Sequence, residues 1–187
     1  MSLKILNPGY FQGKQWLSED FSVTDPGNDI DVVVLTPPIS LLQVHLDSIT
    51  ADSSGILLGG SCEFLGFPIG GAWRAPYANG PTSWMPFVKH CTVSALAVQP
   101  ERIWILDGIN NVGFSGGPVF FGTGPELKIC GVVSGYRTEP TDVIPADPAV
   151  KPTATVNVNS GLFVAYDISY AIDAIHKNPI GPLREVK

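Results

Sequence analysis

Residues 113–118 read Gly-Phe-Ser-Gly-Gly-Pro, and this stretch governs how the rest of the chain is read. A serine between glycines can occupy a sharp turn, because glycine accepts positive φ and carries no Cβ to obstruct an approaching group. On such a turn the backbone N–H groups of Gly113 and Ser115 can converge on the oxygen of a carbonyl under attack, as an oxyanion hole. Alone, the hexapeptide reads equally as a glycine-rich hairpin turn. Its flanks are short apolar runs, Arg102–Leu106 before it and Pro118–Phe121 and Leu127–Ser134 after it, each of strand length and bounded by turn residues. The serine is therefore expected on a loop between strands.

The 187-residue chain is 44% hydrophobic and 15% charged, which describes a folded protein with a substantial core. Its 20 glycines and 17 prolines are spread between short Val, Ile, Leu and Phe runs, the pattern of an all-β chain of many short strands. A net charge of -6 with no Lys/Arg cluster argues against nucleic acid as a partner. No apolar stretch reaches the roughly 18 residues of a membrane span, and no signal-peptide pattern opens the chain. Cys62, Cys91 and Cys130 lack metal-ligand spacing; we expect buried free thiols, which favour a reducing compartment, with a single disulfide as the alternative, and neither a metal nor a cofactor.

Along the chain, Ile30–Leu35 reads as a buried strand stopped by Pro37 and Pro38, and Leu41–Leu46 as a second, weaker one. Ser48–Gly55 reads as a linker, with further strands at Ile56–Leu58, Cys62–Phe67 and Cys91–Leu96. The Gly70–Pro86 stretch is expected to be a loop packed down by Trp73, Tyr77 and Trp84. Residues 137–158, rich in Pro, Thr, Asp and Val, read as a long exposed excursion before a strand at Gly161–Tyr166. Ile168, Ala171, Ile172 and Ile175 then mark one helix, with Asp167 as its cap and Pro179 beyond its end.

Gly113–Pro118 resembles the nucleophile loop of chymotrypsin-like serine proteases, and other segments match the same family in order. Gly131-Val132-Val133-Ser134-Gly135-Tyr136 resembles the strand whose backbone pairs with substrate and walls the specificity pocket. Asn159-Ser160-Gly161-Leu162, with the strand and helix after it, resembles the closing segment of bacterial trypsin-like members. Gly66-Phe67-Pro68 and Pro86-Phe87-Val88-Lys89 through Val93-Ser94 resemble the opening of their second barrel. The resemblance implies an all-β, chymotrypsin-like double β-barrel with an incomplete first barrel and a C-terminal α-helix. Residues 1–48 would be the remainder of the first barrel and residues 49–187 the second.

It also implies a serine endopeptidase with Ser115 as nucleophile, Gly113 and Ser115 as oxyanion donors, and Ser134, Gly135 and Tyr136 holding a peptide or protein substrate. The orienting carboxylate is expected at Asp31, opening Asp31-Val32-Val33-Val34-Leu35. Asp29 is the alternative, disfavoured because it would put the Asp31 charge at a small apolar position. Ile109, six positions before the serine, falls at the pocket floor, and an aliphatic floor would disfavour Lys and Arg substrates. Phe114 replaces the acidic residue that would pair with a newly cut N-terminus, so zymogen control by that ion pair is not expected.

The match breaks at the histidine. None precedes His45, which follows Asp31 and reads as a strand residue; His90 falls within a strand and His176 at a helix end. The simplest expectation is a chain starting inside the first barrel, with the histidine in a missing segment and little activity without it. A pseudoprotease that binds peptides without cutting them is the alternative.

Overall fold

The structure, a computed structural model, describes residues 2–6, 16–20, 22–27, 29–36, 49–68, 73–76, 82–97, 100–145, 147, 149 and 151–179. Its strands are β1 (Ser2–Leu6), β2 (Trp16–Asp20), β3 (Ser22–Thr24), β4 (Val34–Thr36), β5 (Thr50–Ala51), β6 (Ser61–Gly66) and β7 (Trp73–Pro76). They continue as β8 (Thr82–Met85), β9 (Phe87–Ala97), β10 (Ile103–Asp107), β11 (Pro118–Phe121), β12 (Lys128–Asp142) and β13 (Thr155–Asp167), before helix α1 (Ser169–Lys177). The described residues are β-strand and irregular structure apart from α1 and 3-10 turns such as Gly124–Glu126.

Six strands close on themselves in the order β11-β6-β9-β10-β13-β12, because β11 pairs with both β6 and β12; β5 adds a short parallel bridge to β12. Strands β6, β9 and β10 follow one another, and β11 returns to lie beside β6, which is a Greek key. Alternation fills the ring. Cys62 and Phe64 of β6, Trp104 and Leu106 of β10, and Phe163 and Ala165 of β13 all point inward and are buried. The three cysteines are free and buried in this core. Hydrogen bonding to Cys62, together with burial, pushes the Cys91 and Cys130 thiols up, so both stay protonated at neutral pH.

Outside the ring, β1–β2, β3–β4 and β7–β8 are two-stranded hairpins. No second closed barrel occurs among the described residues; within 1–48 they contain only the first two hairpins. The Leu41–Leu46 strand, Tyr77 and His45 lie outside the described residues.

Several expectations change. The Ile30–Leu35 run is strand only from Val34, and of its valines Val32 is buried whereas Val33 is exposed. Ile56–Leu58 is a turn with Leu57 and Leu58 exposed, since three apolar residues are too few to specify pairing. Residues 73–76 and 82–85 form a hairpin inside the expected loop. The 137–158 excursion is instead a two-stranded ribbon, β12 and β13 remaining paired out to Asp142 and Thr155.

Helix α1 starts at Ser169, and Asp167 still serves its end by accepting the Ser169 N–H at 2.8 Å. Arg102 ties α1 to the barrel: its guanidinium donates to Asp173 at 2.8 Å and lies over the Tyr170 ring, and its N–H donates to the Tyr170 hydroxyl at 3.0 Å. No helix among the described residues is long and apolar enough to cross a membrane.

Candidate functional site

Ser115 is exposed because the residue before it is not. Phe114 is fully buried, its ring edge-on to Phe64 at 5.0 Å, and anchoring that side chain turns Ser115 outward. The loop needs glycine at three of its positions. Gly113 has φ 103° and Gly116 φ 82°, both in the left-handed region. At Gly117 a Cβ would overlap the Leu65 carbonyl oxygen and sit 2.8 Å from that of Phe114. Hydrogen bonds lock the loop to its neighbours. The Gly116 N–H donates to Val133 O at 2.7 Å, the Val133 N–H to Gly117 O at 2.8 Å, and the Phe67 N–H to Gly113 O at 2.9 Å.

Strand β12 is irregular where it passes the serine. Val133 pairs with Ala165 and Gly135 with Val164, leaving Ser134 as the extra residue of a β-bulge. The bulge takes Ser134 out of the ladder and gives it two other contacts. Its carbonyl accepts the Ser115 hydroxyl at 2.6 Å, and its own hydroxyl donates to Asp31 Oδ2 at 2.8 Å. Asp31, Ser134 and Ser115 are thus joined in one hydrogen-bonded chain. Asp29 takes no part in it; it is exposed in the preceding turn at φ 58°, a conformation Asp tolerates better than most residues.

The local resemblance to chymotrypsin-like proteases has no support from wider comparison. No family model matches the chain, and no curated protein does. The geometry therefore carries the functional reading by itself.

Not every expected residue joins the site. Ile109 is 62% exposed and does not floor a buried pocket. Spacing from the serine located its backbone, but its side-chain direction depends on loop conformation. The buried neighbour is Asn110, fully enclosed, whose side-chain amide has no hydrogen-bond partner among the described residues and whose carbonyl accepts from Asn159. Sequence reasoning missed Asn110 because a buried amide in a glycine-rich loop looks like a turn residue. Tyr136 is 40% exposed, and at Gly135, which faces the other way, an added Cβ would meet nothing within 4 Å, so the strand is open here on both faces.

The open space at Ser115 lies on its other side. A cleft of about 430 Å³ has one wall from Gly113 and Ser115 through Pro118 and the other from Leu65, Gly66, Phe67 and Pro86. Neither Ile109 nor residues 134–136 line it.

No imidazole stands beside Ser115 among the described residues. His90 sits on β9 opposite Glu63, 3.5 Å from its carboxylate and well exposed, and His176 is in the last turn of α1. Lys89 is spoken for: its ammonium donates to Ile109 O and Asn111 Oδ1 and lies 4.9 Å from the centre of the Phe114 ring. Burial pulls its pKa down. The Ser115 proton thus points at a neutral carbonyl, which orients it but cannot remove it.

Proposed function

We propose that this chain carries the nucleophile side of a chymotrypsin-like serine hydrolase acting on peptide bonds. The observation that carries the reading is the chain Asp31–Ser134–Ser115, which brings an acid, a bulged strand and a glycine-flanked serine from three separate segments to one exposed point. Ser115 Oγ bonds to the substrate carbonyl carbon, and the Gly113 and Ser115 N–H groups receive the developing oxyanion. As the C–N bond breaks, the serine proton passes through an imidazole outside the described residues to the leaving amine. Water then releases the acyl group by the reverse transfer. Asp31 serves as the carboxylate that orients that imidazole, and the open strand Ser134–Tyr136 pairs with the extended substrate.

A second reading is supported by a specific contact. With the Ser115 hydroxyl held by the Ser134 carbonyl and no imidazole beside it among the described residues, the same surface binds a peptide without cutting it. A fluorophosphonate probe applied to the protein with its imidazole in place, followed by intact-mass and peptide-mapping analysis, decides between them. The hydrolase reading expects one adduct on Ser115, absent from Ser115→Ala; an unlabelled Ser115 leaves the binding module.

A further inference from the structure

We infer that the cleft beside Ser115 selects the residue on the leaving-group side of the scissile bond, and that it takes a large apolar side chain. The assignment of sides rests on the hydrolase reading above. An acyl carbonyl held over Ser115 with its oxygen toward Gly113 and Ser115 N–H has two directions open to its chain. One runs along Ser134–Tyr136, whose bulge meets the serine directly. The other runs into the cleft, bounded by the end of β6 and by Pro86, and none of residues 134–136 reaches it. A substrate that pairs with β12 on its acyl side therefore leaves through the cleft.

The lining sets the chemistry of what fits there. Leu65, Phe67, Pro86 and Pro118 supply apolar side chains, the glycines supply backbone, and the Ser115 hydroxyl is the one polar side-chain group among the described lining residues. Phe67 is 45% exposed, so the apolar lining reaches the rim. A large apolar side chain gains by leaving water in such a place, whereas a carboxylate or ammonium would be desolvated with no charged partner among the described residues of either wall. The volume of about 430 Å³ stands near the lower end of the roughly 300–1,000 Å³ usual for ligand sites, a size for one large side chain and its backbone. Gly113 and Gly117 let the two walls meet where the cleft closes, since a Cβ on either would press on the opposing Phe67 or Leu65 carbonyl.

The test is a titration of ¹⁵N-labelled protein with phenylalanine amide, leucine amide, glycine amide and aspartic acid α-amide, read at the amides of Gly66, Gly113, Gly116 and Gly117. Phenylalanine and leucine amides are expected to shift these four signals with at least about tenfold higher affinity than the other two. Phe67→Ser, a change at a half-exposed position, is expected to remove most of that difference. Equal affinities, or shifts confined to other parts of the chain, overturn the selectivity. Labelling of Ser115 is measured alongside. A chain acylated at Ser115 whose cleft ignores phenylalanine amide overturns the selectivity alone. One that binds phenylalanine amide but resists the probe overturns the hydrolase reading, and with it the leaving-group assignment.

Discussion

Replacing Gly116 and Gly117 each by alanine separates two reasons for glycine within one loop. Gly116 has φ 82° and open space around an added Cβ, so Gly116→Ala meets only the left-handed backbone penalty, about 1–2 kcal/mol. Gly117 has no such φ but no room: its Cβ would overlap Leu65 O, with Leu65 C at 3.1 Å and Phe114 O at 2.8 Å. Those atoms are backbone, held by the Gly117 N–H bond to Phe114 O at 2.9 Å and by Leu65 pairing with Val88, so they cannot yield as a flexible side chain would. We expect about 3–5 kcal/mol for Gly117→Ala, at the upper end of single-site effects. Both changes reduce unfolded-chain entropy alike, so that contribution cancels in the comparison. For a chain of this size the melting temperature falls by about 2–4 °C per kcal/mol. Calorimetry should therefore give losses of about 2–8 °C at Gly116 and about 6–20 °C at Gly117. A Gly117→Ala protein melting at or above the temperature of Gly116→Ala would refute the close approach of the loop to β6.

Ser134→Ala removes the hydroxyl bridge to Asp31 while keeping the backbone acceptor of Ser115; at this exposed pair we expect at most about 1 kcal/mol of stability lost, with several-fold slower fluorophosphonate labelling. An unchanged labelling rate would remove Asp31 from the site. Asp52, held down to about 2 by hydrogen bonds from Lys128 and then Ser54, should titrate higher in Lys128→Met but stay below the ordinary 3.8, because both Ser54 hydrogen bonds remain. Because the folded pKa is the lower one, the contribution of this pair is present above the ordinary carboxylate range and lost as pH falls through about 2. Carboxyl ¹³C shifts against pH check this, and an unmoved midpoint contradicts it. Tyr170→Phe deprives the Arg102 N–H of its acceptor and should cost about 0.5–1.5 kcal/mol in urea unfolding with an unchanged slope; no loss would mean that water replaces the hydroxyl freely.

Where side chains are buried on one face, the sequence was a good guide. Cys62–Phe67, Cys91–Leu96, Arg102–Leu106 and Pro118–Phe121 were each expected as strands, and β6, β9, β10 and β11 lie there. The apolar spacing of Ile168, Ala171, Ile172 and Ile175 likewise foretells α1. Hydrophobic periodicity reports burial rather than pairing, however, so it misses strands wet on both faces. The ribbon from Glu139 to Asp142 and from Thr155 to Val158 is exposed throughout, and Pro140 disguises it as loop. Of the two carboxylates at this strand entrance, Asp31 is the one that bonds to Ser134, and both are exposed, so the hydrogen bond rather than burial tells them apart. Side-chain direction in the irregular 108–114 segment was beyond such reasoning: Ile109 faces out and Asn110 in. The bulge at Ser134 has no apolar signature at all.

The closed ring leaves β6, β9, β10 and β11 no loose edge, but the ribbon beyond it has one on each side among the described residues. Such edges invite another copy of the chain to add a strand, and Val156 and Val158, half exposed on one face, would reward it. Pro140 withholds an N–H midway along one edge, and Glu139 and Asp142 place like charges where two ribbons would meet. Self-association through this arm is thereby discouraged by the very residues that make it look like a loop, and Pro140→Val is the change that would turn a tolerated arm into a template for aggregation.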